Sequence, residues 1–113
     1  MTRIAGFGYN GGATVDSLAD ALAQAGGAEI LAALEGKSAL VAALGKRLGL
    51  PVLIVSRAEA TLQTCLTDSP ASRTATGLGS VAEAVALAAR PGARLLAPRI
   101  LSGPCTIALS ETP

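Results

Sequence analysis

The 113-residue chain has no histidine and no tryptophan. Without histidine, neither Ser-His-Asp nor Cys-His nucleophilic machinery can be assembled, and the commonest metal ligand is missing. The aromatics are Phe7 and Tyr9 alone, so a stacking platform for nucleic-acid bases is lacking. The core must then be built from Ala, Leu, Val and Ile. Cys65 and Cys105 form no CxxC pair and fit no zinc spacing. Both read as ordinary small core or near-surface residues. A net charge of +1 leaves no basic footprint for DNA or RNA. No apolar run approaches the ~20 residues of a membrane span. Met1-Thr2-Arg3 leads straight into a strand-like stretch, without a signal-peptide pattern. The expectation is a cytoplasmic chain with no metal site, no cofactor, no nucleic-acid partner and no membrane.

What is present suits a compact fold. Half of the residues are apolar, and the length fits one domain over 1–113. Arg3–Gly8 reads as a short buried strand, followed by a helix capped by Thr14 and closed by Gly26-Gly27. Glu29–Leu34 reads as a second strand, although ILAAL also suits a helix. A helix follows from Ser38 to Leu48, with Gly49 at its end. Pro51–Ser56 is a continuous apolar run, as in a strand buried on both faces. Ser56-Arg-Ala-Glu59 and Ser80-Val-Ala-Glu83 are capping boxes that open further helices. Between them, residues 64–79 read as a long loop with one turn of helix. Arg94–Ile100 and Cys105–Ser110 read as strands joined by the turn Ser102-Gly103-Pro104, hence antiparallel neighbours. The order predicts a single three-layer α/β domain. Its sheet would be mostly parallel but mixed, of about five strands, with a C-terminal antiparallel hairpin whose last strand lies at the edge.

Gly6, Gly8, Gly11 and Gly12 crowd the turn after the first strand. Such a cluster points to a tight turn, a close backbone approach or a docking site. Gly6-x-Gly8-x-x-Gly11 has the spacing of a dinucleotide fingerprint. However, the helix starts only near Thr14, and no acidic residue closes a clean second strand unless Glu35 is counted. Gly36-Lys37-Ser38 resembles the tail of a phosphate loop, but Leu31 stands where the leading glycine is required. Neither nucleotide class is supported.

Four segments, in order, carry a resemblance over nearly the whole chain: IAGFGYNGGATVDSL, LEGKSALVAALGKRLGLPV, DSPASRTATGLGSVAEAVAL and LLAPRILSGPCTIAL. Together they resemble the family formed by the C-terminal domain of cobalt-precorrin-5A hydrolase and the stand-alone CobE proteins of cobalamin biosynthesis. SVAEA within its glycine-rich context is the most specific piece. One departure is visible: family members commonly carry arginines just after the G-x-G, where this chain has Asn10-Gly11. The two-domain hydrolases also carry an N-terminal region that these residues do not include. The resemblance therefore implies a CobE-like protein that binds a precorrin or other tetrapyrrole intermediate and works beside other enzymes of the pathway. Self-association into a homodimer stays open. The alternative implied by the same resemblance is a hydrolase that opens the ring-A lactone of (cobalt-)precorrin-5A with release of acetaldehyde. Its general base would be Glu35, Asp68 or Glu83, and its catalytic residues remain unassigned.

Such ligands present many carboxylates around a flat apolar ring. Helix N-termini and backbone amides at the carboxyl ends of parallel strands suit them. The candidate ligand-binding residues are Gly6, Gly8, Tyr9, Asn10, Gly12, Thr14, Lys37, Ser38, Arg73, Thr76, Gly77, Ser80, Glu83 and Arg99. Each has a structural alternative. The glycines could serve only a turn, Lys37 and Arg73 could be solvated charges, Glu83 a helix cap, and Tyr9 a cover for the core edge.

Overall fold

A computed structural model describes residues 1–113. In chain order the elements are β1 (Thr2–Tyr9), α1 (Val15–Ala25), β2 (Ile30–Leu34), α2 (Ala39–Leu48), β3 (Val52–Val55) and α3 (Arg57–Thr61). They continue with α4 (Pro70–Thr76), α5 (Val81–Ala88), β4 (Arg94–Leu95), β5 (Ile100–Ser102) and β6 (Cys105–Thr112). One sheet runs β3-β2-β1-β6-β4, and β5 pairs with β6 beside β4. Alternation along the strands divides the core. Ala5 and Phe7 of β1 and Leu31 and Ala33 of β2 meet Leu18, Leu22, Val41 and Leu44 of α1 and α2. Ile4, Ala32 and Leu34 meet Ala60 of α3 and Ala84 and Val85 of α5. The result is the expected α/β domain in three layers, with a mixed open sheet and a C-terminal hairpin.

Several details differ from the sequence reading. β6 is not an edge strand. It lies inside the sheet, antiparallel to β1 from Thr2↔Thr112 to Tyr9↔Cys105. With β4 and β5 also antiparallel to β6, the parallel pairings are confined to β1–β2 and β2–β3. The strand buried on both faces is β2, all five of whose residues are buried. β3 is instead the sheet edge, which leaves Ile54 51% exposed. The expected strand Arg94–Ile100 is broken into β4 and β5. Pro98 has no N–H to donate, and the Arg99 N–H is turned inward to a side chain rather than into the ladder. The loop 64–79 contains a genuine short helix, α4, with Ser69 as N-cap and Pro70 at its start.

The caps explain where the helices begin. Thr14 and Ser17 exchange side-chain-to-backbone bonds at α1, both 3.2 Å. Ser56 and Glu59 do the same at α3. At α5 the box is only half made. Ser80 Oγ accepts the Glu83 N–H at 3.3 Å, but the Glu83 carboxylate does not return to Ser80. It is used elsewhere.

None of the glycines at the β1–α1 turn holds a positive φ. Gly6 serves another purpose. It faces α5, where a Cβ would collide with the Ala82 carbonyl oxygen and the Ala86 backbone. Helix α5 therefore lies directly on the backbone of β1, with Ala82, Ala86 and Ala108 packed together beside it. Gly6→Ala is expected to destabilise the fold by about 3 kcal/mol, because backbone rather than a flexible side chain must give way. Gly11→Ala, which meets open space, should leave the thermal midpoint unchanged. Paired thermal melts followed by circular dichroism check this. Equal midpoints for the two variants would contradict the close seating of α5.

Candidate functional site

The carboxyl ends of β1 and β2 open onto a two-lobed cleft. Chain order turns back at this point: β2 and β3 build outward from one side of β1, and β6 and β4 from the other. In open α/β sheets such a reversal leaves a crevice beyond the strand ends. One lobe, about 360 Å³, lies between Tyr9, Asn10, the cleft-facing residues of α4 and the β5–β6 turn, with Arg99 at its border. The other, about 400 Å³, reaches past Gly11 and Leu34 to Lys37. The lobes share Gly8, Tyr9, Asn10, Ala75, Thr76 and Val81.

Two cations border the cleft and no carboxylate lines either lobe. Neither Lys37 nor Arg99 belongs to an ion pair, since those of the chain are Arg47–Asp16, Arg73–Asp68 and Arg94–Glu111. The Lys37 ammonium sits 5.8 Å from the centroid of the Tyr9 ring, within cation–π range. Asn10 holds a turn. Its N–H donates to the Pro104 carbonyl at 3.1 Å, and its Oδ1 accepts the Gly12 N–H at 2.9 Å.

Of the residues expected from the sequence, the structure therefore brings together Gly8, Tyr9, Asn10, Lys37, Thr76 and Arg99. The others lie elsewhere. Gly6 is buried under α5. The Gly12 N–H closes the Asn10 turn, and the Thr14 hydroxyl is committed to the α1 cap. Ser38 is the N-cap of α2 with its hydroxyl unengaged by the backbone, but it lines neither lobe. Arg73 faces away from the cleft. It pairs with Asp68 across a separate polar cavity on the opposite flank of α4, where Gly77 also lies. Gly77 closes α4 in the left-handed region at φ 77°. Sequence reasoning missed Ser69, Ser72 and Ala75 of the α4 wall and Leu101 and Pro104 of the opposite wall. The Ser69-Pro70 pair, a helix-start signal, could have revealed the first wall.

Ser80 and Glu83 are fully buried and form no part of the cleft surface. The Glu83 carboxylate instead ties three segments together. Oε1 accepts the Thr67 N–H at 2.8 Å, while Oε2 accepts the Thr67 hydroxyl at 2.7 Å and the Arg99 N–H at 2.8 Å. Burial pushes this carboxyl upward. The hydrogen bonds from Thr67, Arg99 and Leu66 outweigh that and hold it below its ordinary value of about 4.5. Burial pushes the thiols of Cys65 and Cys105 upward, so both stay protonated at neutral pH, as their sequence reading implied.

Fold and cleft together define an open-sheet α/β domain with a cation-bordered crevice at the carboxyl ends of its parallel strands. Residues 3–110 match the family described as Cobalamin synthesis G C-terminus, and the chain belongs to that family. It is thus a protein of cobalamin-biosynthesis type, as the four sequence segments implied. The solved structure of CobE, "a protein from the cobalamin (vitamin B12) biosynthetic pathway", is similar. It shows 28% identity and a TM-score of 0.81, covering 96% of this chain and 89% of CobE. The cobalamin biosynthesis protein chiG from Agrobacterium tumefaciens str. C58 is 30% identical with a TM-score of 0.74, covering 97% and 98% of the two chains. No protein with a curated description matches.

The depressed Glu83 carboxyl makes a signed prediction. Its folded-state affinity for protons is lower than in the unfolded chain, so it stabilises the fold above pH 4.5 and that contribution fades as pH falls through the lower folded value. Glu83→Gln keeps one acceptor but turns an NH₂ toward N–H donors. It should cost about 3 kcal/mol at pH 7. The gap between wild type and variant should narrow as pH is lowered from 6 to about 3. Urea titrations across that range measure it, and a gap that stays constant would show that the carboxylate charge is not what holds the three segments.

Proposed function

We propose that the protein binds a carboxylate-rich tetrapyrrole intermediate of cobalamin biosynthesis, a precorrin, across the two lobes of the cleft. The observation that carries this reading is the pairing of Lys37 and Arg99, one at each lobe, in a crevice that no carboxylate lines. A ring bearing acetates and propionates would set anionic arms against both cations. Its apolar face would lie against Tyr9, Leu101 and Pro104, all of which line the cleft. The family membership supplies the pathway, and the crevice supplies the ligand chemistry. Other enzymes of that pathway are the natural donors and acceptors of the bound intermediate.

The hydrolase alternative needs a free general base near the ligand. Glu35 accepts the Arg57 N–H at 3.0 Å and lines neither lobe. Asp68 is held by Arg73 on the far side of α4. Glu83 is buried with both oxygens occupied. The arrangement favours holding a ligand over hydrolysing it.

Titration with purified pathway intermediates, followed through the ligand's visible absorbance, tests the reading. Lys37→Ala and Arg99→Ala should each weaken binding by about 1 kcal/mol, roughly fivefold, and added salt should weaken it further. Arg73→Ala should have no effect, since its guanidinium lies outside the cleft. Incubation with cobalt-precorrin-5A or its metal-free counterpart should release no aldehyde above a no-protein control. Affinity indifferent to Lys37, Arg99 and salt would sink the binding proposal, and aldehyde release lost in Glu35→Gln would establish the hydrolase instead.

A further inference from the structure

Helix α4 forms one wall of the cleft, yet none of its residues is buried. Open space flanks it on both sides: the cleft on one, and a polar cavity of about 420 Å³ lined by Arg73 and Gly77 on the other. Its hydrogen bonds are almost entirely its own. The Ser69 N–H donates to the Gly79 carbonyl at 2.9 Å, joining the two ends of the segment. Ser69 Oγ accepts the Ser72 N–H, Thr76 Oγ1 donates to the Ser72 carbonyl and accepts the Leu78 N–H, and Asp68 pairs with Arg73. Residues 69–77 are therefore a compact segment bonded mostly to itself and to its own base, able to move as one body.

The ends of this loop are fixed. Thr67 is held by Glu83, Leu78 is buried in the core, and Gly79 lies against the Thr67 carbonyl with no room for a Cβ. Apart from the bonds to Asp68, Leu78 and Gly79 at its base, a single hydrogen bond leaves the segment, from the Arg57 guanidinium to the Thr76 carbonyl at 2.6 Å. Thr76 is the last residue of α4, and Gly77 beyond it already sits in the left-handed region, where glycine turns freely. A rigid segment with fixed ends, empty space on either flank and one exposed polar tether has the construction of a lid.

We propose that residues 69–77 are a lid over the cleft, opening toward the polar cavity and latched shut by Arg57. The lid is a property of the free protein and stands whatever ligand the cleft receives. Native-state amide exchange of the unliganded chain, read by NMR, tests it. The reporters are the Ser69 and Leu78 amides, called the lid amides because their bonds to the Gly79 carbonyl and the Thr76 hydroxyl run between the lid and its fixed base, and the Ala84 and Ala89 amides of α5, all hydrogen-bonded in the closed state. In the wild type, the lid amides should be protected but exchange at least about tenfold faster than those of α5. Arg57→Ala should accelerate the lid amides about tenfold more, with α5 exchange and the thermal midpoint unchanged. Lid protection equal to that of α5, lid amides with no protection at all, no response to Arg57→Ala, or an equal acceleration in α5 would each overturn the proposal.

Discussion

The arrangement depends on one buried carboxylate. Glu83 stands on α5, but its carboxylate bonds neither its own helix nor its own cap. It gathers the Thr67 N–H and hydroxyl on one side and the Arg99 N–H on the other, at 2.7–2.8 Å. A charge with 0% exposure is tolerable only because these donors surround it. In return, it fixes the bases of both walls of the cleft. The segment leading into α4 starts from Thr67, and the strand carrying Leu101 starts from Arg99. Placing the carboxylate in the core thus places the walls without a cluster of apolar residues at the cleft mouth.

The second constraint is steric. Helix α5 can deliver Glu83 to that position only because it lies on bare backbone at Gly6, with Ala82 and Ala86 on its contact face. A larger residue on either side would lift the helix and draw the carboxylate from its donors. Ser110, on β6, adds a buried bond from its hydroxyl to the Ala86 carbonyl at 2.7 Å, which secures the other flank of α5. The glycine and alanine content of the first strand and of the SVAEA segment therefore belongs to one packing solution rather than to two motifs.

What the sequence made legible follows from locality. Thr14 and Ser56 could be read as caps because their partners lie three residues away, and the structure shows both boxes closed. Ser80-Val-Ala-Glu83 has the same spacing, yet Glu83 finds better donors sixteen residues distant in each direction. Nothing local marks that choice. The position of β6 between β1 and β4 was hidden for the same reason, since a hairpin fixes the neighbour of β5 but not the strand on β6's other side. The family could be read because its residues are spread in order along the chain. In the candidate site, Lys37, Tyr9 and Arg99 were legible as residue types able to meet a polycarboxylate. Arg73 was equally eligible by chemistry, and only the rotation of α4 turns it toward Asp68.

In the proposed complex, the carboxylate-bearing tetrapyrrole ring sits in the crevice bordered by Lys37 and Arg99. Mapping amide chemical-shift changes on addition of a metal-free precorrin tests it most directly. A ring seated there shifts Gly8–Gly11, Lys37, Thr76, Arg99 and Leu101, on both lobes at once. Changes centred instead on the polar cavity around Thr64, Cys65 and Asp68, or an unchanged spectrum, would contradict it.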